Sequence, residues 1–179
     1  MKSLKQYSIP HTGLKLGKHQ FDFDVDEAFF KEFEYSLVKN GSLKAEVVLD
    51  KQETMMVLDF QVNGFVYLDC DRCLSEYPQN ISATDRLIVR FSEDKELEEG
   101  TDEVVVLTKN DTEIDVAVFI YEMITLALPY INLCDAPGNN SVCDEEMIAK
   151  LKELSLDEDG EEDSNADPRW EALKNIKNN

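Results

Sequence analysis

Apolar and polar positions alternate along much of the first half of the chain. In "LKLGKHQFDFDV", residues 14–25, Phe21, Phe23 and Val25 share one side with aspartates between them, the period-two pattern of a half-buried strand. The period then changes. In "DEAFFKEFEYSL" the apolar residues Phe29, Phe30, Phe33 and Leu37 recur at helical spacing, which predicts a helix with one apolar face. Residues 40–73, "NGSLKAEVVLDKQETMMVLDFQVNGFVYLDCDRC", return to alternation and predict three strands with short polar breaks. Asn63-Gly64 reads as a hairpin turn there, because both residues tolerate positive φ. Residues 80–91, "NISATDRLIVRF", predict a further strand, and "VVVL" at 104–107 a short one beyond the charged loop "SEDKELEEGTDE".

The second half is organised differently. "VAVFIYEMITLALPYI", residues 116–131, is apolar nearly all round and predicts a helix over 116–128 packed centrally against the sheet. Asp115 is placed to cap it and Pro129 to end it. The stretch falls short of the ~20 apolar residues that span a bilayer, and it carries Glu122 in its middle. "INLCDAPGNNSVCDEEMIAKL" reads as a loop until about Asp144, where a short helix begins. Residues 153–167, "ELSLDEDGEEDSNAD", hold 8 acidic residues and no basic one, too little apolar surface to offset ordering entropy, so a disordered acidic linker is expected. "DPRWEALKNIKNN" after it predicts a small helix with Asp167 as cap and Pro168 in the first turn. The pattern as a whole predicts an α+β fold: a largely antiparallel β-sheet, a central buried helix and short flanking helices. Residues 1–152 form a single domain on this reading, 153–167 the linker and 168–179 a C-terminal helical motif.

Charge narrows the function. Residues 1–91 hold 11 Lys/Arg against 14 Asp/Glu, a net of −3; residues 92–179 hold 7 against 24, a net of −17. Nucleic-acid affinity comes from Lys and Arg neutralising phosphates, and the second half would repel them. Such a surface suits a basic partner. It also keeps a protein in solution, with which the mean hydropathy of −0.38 agrees. The opening "MKSLKQYSIPHTG" has no apolar run after its lysines, so the chain is expected in the cytoplasm, where structural disulfides are rare.

The four cysteines therefore need another role. Cys70 and Cys73 are three apart, the spacing at which a tight turn aims two sulfurs at one point. Cys134 and Cys143 supply the other half of a candidate zinc site. The glycine that often follows such a turn is replaced by Leu74. Two other readings stay open: small hydrophobes packed into the sheet, or a redox pair, which the flanking Asp69 and Asp71 oppose. His11 and His19 are expected to be solvated, and no catalytic motif appears.

"CDRCL" at 70–74, the preceding "LDFQVNGFVYLD", "LKLGKHQFDFDVDEAFF" near the start, "LALP" at 126–129 and "DPRWEALKNI" at 167–176 occur in this order. In these marks the chain resembles the YceD-like large ribosomal RNA subunit accumulation proteins. The resemblance implies a bacterial cytosolic factor, not an enzyme, needed for large-subunit ribosomal RNA to accumulate. It also makes the cysteine pair a family mark, with zinc held by Cys70, Cys73, Cys134 and Cys143, or a structural or partner-contacting turn, as the rival readings. Partner contacts are expected from Arg72 and from Asp167, Pro168, Arg169, Trp170 and Leu173. The expected partner is a basic large-subunit ribosomal protein or a pre-ribosomal particle. The alternative is an RNA-processing enzyme or nuclease cofactor that touches RNA through Lys44, Arg72, Arg86 and Arg90.

Overall fold

The computed structural model describes residues 4–91, 104–108, 111–139 and 142–155. The chain divides into two units, residues 1–143 and residues 144–179.

In the first unit the alternating segments form an antiparallel meander of β2 (Gly17–Val25), β3 (Gly41–Lys51), β4 (Met55–Asp69) and β5 (Glu76–Phe91). β6 (Val104–Leu107) joins the far edge parallel to β5, with Ile88 opposite Val104. A second, two-stranded sheet pairs β1 (Ser8–Pro10) with β7 (Glu113–Asp115). Alternation dictates which face is buried. Leu43, Ala45, Val47 and Leu49 of β3 lie beside Met56, Leu58, Phe60 and Val62 of β4, all at most 3% exposed. Each of these side chains larger than alanine contributes on the order of 1.5–3 kcal/mol when withdrawn from water.

α2 (Ala117–Leu126) lies against β4 and β5. The N-cap position is Val116, which offers no side-chain bond; Asp115, the residue before it, accepts from the Ala117 N–H at 2.9 Å, so the predicted carboxylate serves the helix start from one position further out. The helix is not buried all round. Ala117, Ile120, Met123 and Ile124 face the core, while Val118 and Leu126 are exposed, because the sheet covers only one side.

Two other expectations are corrected. Asn63-Gly64 is not a turn: β4 runs unbroken from Met55 to Asp69, so the segment 40–73 makes two long strands rather than three. Gly64 has φ +150, and a Cβ there would stand 2.3 Å from the Ser42 carbonyl and 2.6 Å from the Leu43 Cα. The glycine admits the neighbouring strand, a use that looks like a turn signal in the sequence. The helix after Asp26 is also shorter than its periodicity suggests. Asp26 caps α1 (Glu27–Phe30), accepting from the N–H groups of Ala28 and Phe29. Beyond it the chain proceeds by i→i+3 turns, and Leu37 is left 76% exposed. Tertiary packing of aromatics explains the spacing instead: Phe29 meets Phe30, Phe33 and Tyr7, and Phe33 stacks on Tyr121 of α2 with ring centroids 4.0 Å apart.

His11, expected in solvent, is buried. It sits beside the Phe91 ring, and burial, with the charge of Lys51 nearby, lowers its pKa below the ordinary imidazole value. His19 lies on β2, its Nε2 2.8 Å from the Lys15 carbonyl.

In the second unit, α3 (Glu145–Leu154) starts where the sequence places it. Asp144 caps it, accepting from the N–H groups of Glu146 and Met147. The helix takes in Glu153 and Leu154; the expected linker beyond residue 155 and the motif 168–179 lie outside the described residues. Among the described residues no helix is long and apolar enough to cross a membrane.

Candidate metal centre

β4 ends at Asp69 and β5 begins at Glu76, and the six residues between them form a compact knuckle. The Cys70 N–H donates to the Ser75 carbonyl at 3.0 Å, and the Leu74 N–H donates back to the Cys70 carbonyl at 2.9 Å. These bonds curl the backbone so that Cys70 and Cys73 turn inward, 0% and 2% exposed. To close the turn, Leu74 adopts φ +59, the only positive value at a non-glycine among the described residues. A leucine in the left-handed region costs about 1–2 kcal/mol. The Leu74 side chain is 69% exposed, so it recovers little by packing. Leu74→Gly is therefore expected to stabilise the protein by about 1 kcal/mol, raising its melting temperature by about 2–4 °C. Thermal unfolding checks this, and a lower melting temperature would show that the turn is not strained.

The second arm comes from the loop after α2. The Asp71 N–H donates to the Asn132 carbonyl at 2.8 Å, and the Asn132 N–H donates to Asp71 Oδ2 at 2.7 Å. This reciprocal pair locks the loop onto the knuckle. Asn139 holds the loop's own turn, its Nδ2 donating to the Leu133 carbonyl at 2.9 Å and to Gln79 Oε1 at 3.1 Å. Cys134 is thereby buried, and Cys143 half-buried, beside the first pair.

All four cysteines are free thiols, and their sulfurs lie within 4.8 Å of one another. Cys73 Sγ is 3.8 Å from Cys134 Sγ, and Cys134 Sγ is 3.3 Å from Cys143 Sγ. A tetrahedral ion with metal–sulfur bonds of about 2.3 Å requires sulfur–sulfur separations of about 3.8 Å. The cluster fits a metal ion, and the two pairs, about 60 residues apart in sequence, complete each other.

Electrostatics say what an ion would change. Burial works against the Cys70 thiolate, but N–H groups of Cys134, Cys73 and Arg72 aimed at its sulfur outweigh burial and lower its pKa. Burial drives Cys134 far above the ordinary thiol range, with the thiols of Cys143, Cys70 and Cys73 adding to the effect. At Cys143 the Cys134 thiol works to lower the pKa, yet burial, Cys73 and the Asp135 charge leave it raised. Without a cation the fold thus favours the Cys70 thiolate and disfavours those of Cys134 and Cys143. A dication would supply the charge that lets all four ionise. Arg72 braces the site from outside: its Nη1 donates to Asp135 Oδ2 at 2.8 Å and lies 3.8 Å from Cys143 Sγ. There it would offset part of the negative charge that four thiolates would leave around a dication.

Neither histidine joins the group, which consists of the four cysteines alone among the described residues. The basic residues suggested for RNA contact lie on three elements: Arg72 in the knuckle, Lys44 on β3, and Arg86 and Arg90, both exposed, on β5. Arg72 is held by Asp135, and Arg86 by Asp59 at 2.6 Å. Lys44 lies opposite Asp24 on one side and Asn63 on the other. Asp167, Pro168, Arg169, Trp170 and Leu173 lie outside the described residues. What sequence reasoning missed is the supporting frame of Asp71, Asn132, Asp135 and Asn139. One signal was present: three of the four cysteines are followed by aspartate, at 70–71, 134–135 and 143–144. Asp71 locks the two arms, Asp135 holds Arg72, and Asp144 caps α3.

Compared with known families, the chain matches the profile described as "Large ribosomal RNA subunit accumulation protein YceD" over residues 58–177. The match begins inside β4 and takes in all four cysteines and the terminal "DPRW" segment; the resembling residues 14–30 lie before it. No curated protein and no solved structure matches.

Proposed function

Because the chain belongs to the YceD family of large ribosomal RNA subunit accumulation proteins, we propose that it is a non-enzymatic assembly factor of the large ribosomal subunit, acting in the cytoplasm. It binds a basic ribosomal protein or the nascent particle and so favours productive assembly, which protects the RNA indirectly. The observation that carries this reading beyond the family is the charge of −17 over residues 92–179, which complements a Lys/Arg-rich protein and repels bare phosphate. The four cysteines hold one Zn²⁺, a closed tetrahedral site with a structural role. Arg72 serves that turn as a brace, and the terminal segment from Asp167, Pro168 and Arg169 to Trp170 and Leu173 presents a partner-binding motif.

Two measurements test the reading together. A strain lacking the protein should be short of large-subunit RNA relative to small-subunit RNA. The purified protein should retain a basic large-subunit protein at low salt and release most of it by about 0.5 M, where the Debye length is only ~4 Å. A normal RNA ratio, with nothing basic retained at low salt, contradicts the proposal. Tight binding to naked RNA with no protein partner supports direct RNA contact instead.

A further inference from the structure

Beside the cysteine knuckle lies a cleft of about 500 Å³, within the range of ligand pockets. Its lining includes Asp69, Asp71 and Glu76 from the hairpin end, with Lys39 the one cation among them. Leu37 and Tyr130 also line it, 76% and 99% exposed, two large side chains left in water around an acidic interior.

We propose that this cleft is the docking site for a Lys- or Arg-bearing segment of a basic protein. The inference rests on the reading above that the partner is basic, and it names the surface.

Three observations carry it. Asp69 and Glu76 are directly opposite each other in the β4–β5 register. Side chains so placed have Cβ atoms about 4.5–5.5 Å apart, where like charges destabilise the ladder. Neither has a counter-ion among the described residues. A cationic side chain set between them turns that repulsion into two attractions. The second observation is the rim. Lys and Arg carry aliphatic stems, which cover exposed Leu37 and Tyr130, and charged heads, which reach the carboxylates beyond. The Tyr130 ring adds a cation–π surface. Small acidic ligands and phosphates find three carboxylates against one lysine and are repelled. The third is the construction of the walls. Asp71 and Asn132, which line the cleft, are the residues that lock the two cysteine-bearing arms together. The cleft therefore has a fixed shape, held by the same frame that gathers the sulfurs.

The test uses the full-length protein as purified without chelator and individually purified large-subunit ribosomal proteins of high Lys/Arg content, titrated at low salt. Asp69→Asn with Glu76→Gln should weaken the tightest complex by about tenfold or more. The same change in charge on the sheet's outward face, Asp22→Asn with Glu46→Gln, should leave it within about twofold. Those two are also cross-strand neighbours, so the control matches in kind. The cleft pair should also leave the melting temperature unchanged or raised, since a repulsion is removed, which separates lost docking from lost folding. Binding that survives the cleft pair, or falls equally with both pairs, overturns the inference while leaving the basic-partner reading intact. No binding by any such protein to the unaltered chain overturns both. Binding of a large-subunit RNA fragment that Lys39→Ala weakens would assign the cleft to RNA and likewise overturn it.

Discussion

Serine in place of Cys73 is expected to strip the metal from the protein and to lower its melting temperature by about 10 °C. Cys73 is buried, 3.8 Å from Cys134, and belongs to the only covalent route by which an ion can tie the β4–β5 knuckle to the loop after α2 among the described residues. A serine hydroxyl is a poor replacement for a thiolate ligand, and three sulfurs hold zinc far less well than four. Losing a metal tie is among the few single changes that reach about 3–5 kcal/mol, and each kcal/mol moves the midpoint by about 2–4 °C in a chain of this size. Chelation of the unaltered protein should reproduce the loss, and chelation of the variant should add nothing. Equal midpoints with and without chelator would mean that the thiols pack as ordinary buried groups and the loop is held by hydrogen bonds alone.

Gly64→Ala should be nearly as damaging, for a different reason. Its Cβ would stand 2.3 Å from the Ser42 carbonyl, a backbone atom that cannot swing aside, and at φ +150 the backbone itself disfavours a side chain. The strands must separate near one end of the β3–β4 ladder, which begins at Gly41–Val66 and where Leu43 is the direct partner of Gly64. The expected cost is about 3–5 kcal/mol, again about 10 °C. Asn63→Ala is the discriminating companion. Asn63 points to the solvent face and accepts a hydrogen bond from Ser82 Oγ at 2.9 Å, exposed, so its loss should stay within about 0.5 kcal/mol. A true Asn-Gly turn would suffer from both changes. Comparable melting temperatures for Gly64→Ala and the unaltered protein would refute the close approach.

These two positions also show where sequence patterns stop being informative. Alternation located β2, β3 and β5, because a strand with one wet face and one dry face must alternate. It could not say that β4 continues through Asn63-Gly64, since a glycine needed by a neighbouring strand is indistinguishable from one needed by a turn. Periodicity likewise suggested a helix through Leu37, where the aromatic residues instead answer to Tyr7 and Tyr121, partners distant in sequence. The strands β1 and β7 are three residues each, too short to carry a pattern, and His11, which follows β1, is buried beside Phe91 of β5, a partner distant in sequence. The four cysteines were legible as a set, Cys70 and Cys73 by their spacing and Cys134 and Cys143 as the remaining pair, but the frame that gathers them, Asp71, Asn132, Asp135 and Asn139, was not, because those bonds join segments distant in sequence. The acidic cleft was not legible at all, because Asp69 and Glu76 become neighbours only through the register of a hairpin.

The account turns on four thiolates sharing one ion, and X-ray absorption at the zinc edge of protein purified without chelator tests that most directly. The predicted result is one zinc per chain with four sulfur ligands at about 2.3 Å and no oxygen or nitrogen in the inner shell. Metal-free protein, or a zinc bound through nitrogen and oxygen, would contradict it.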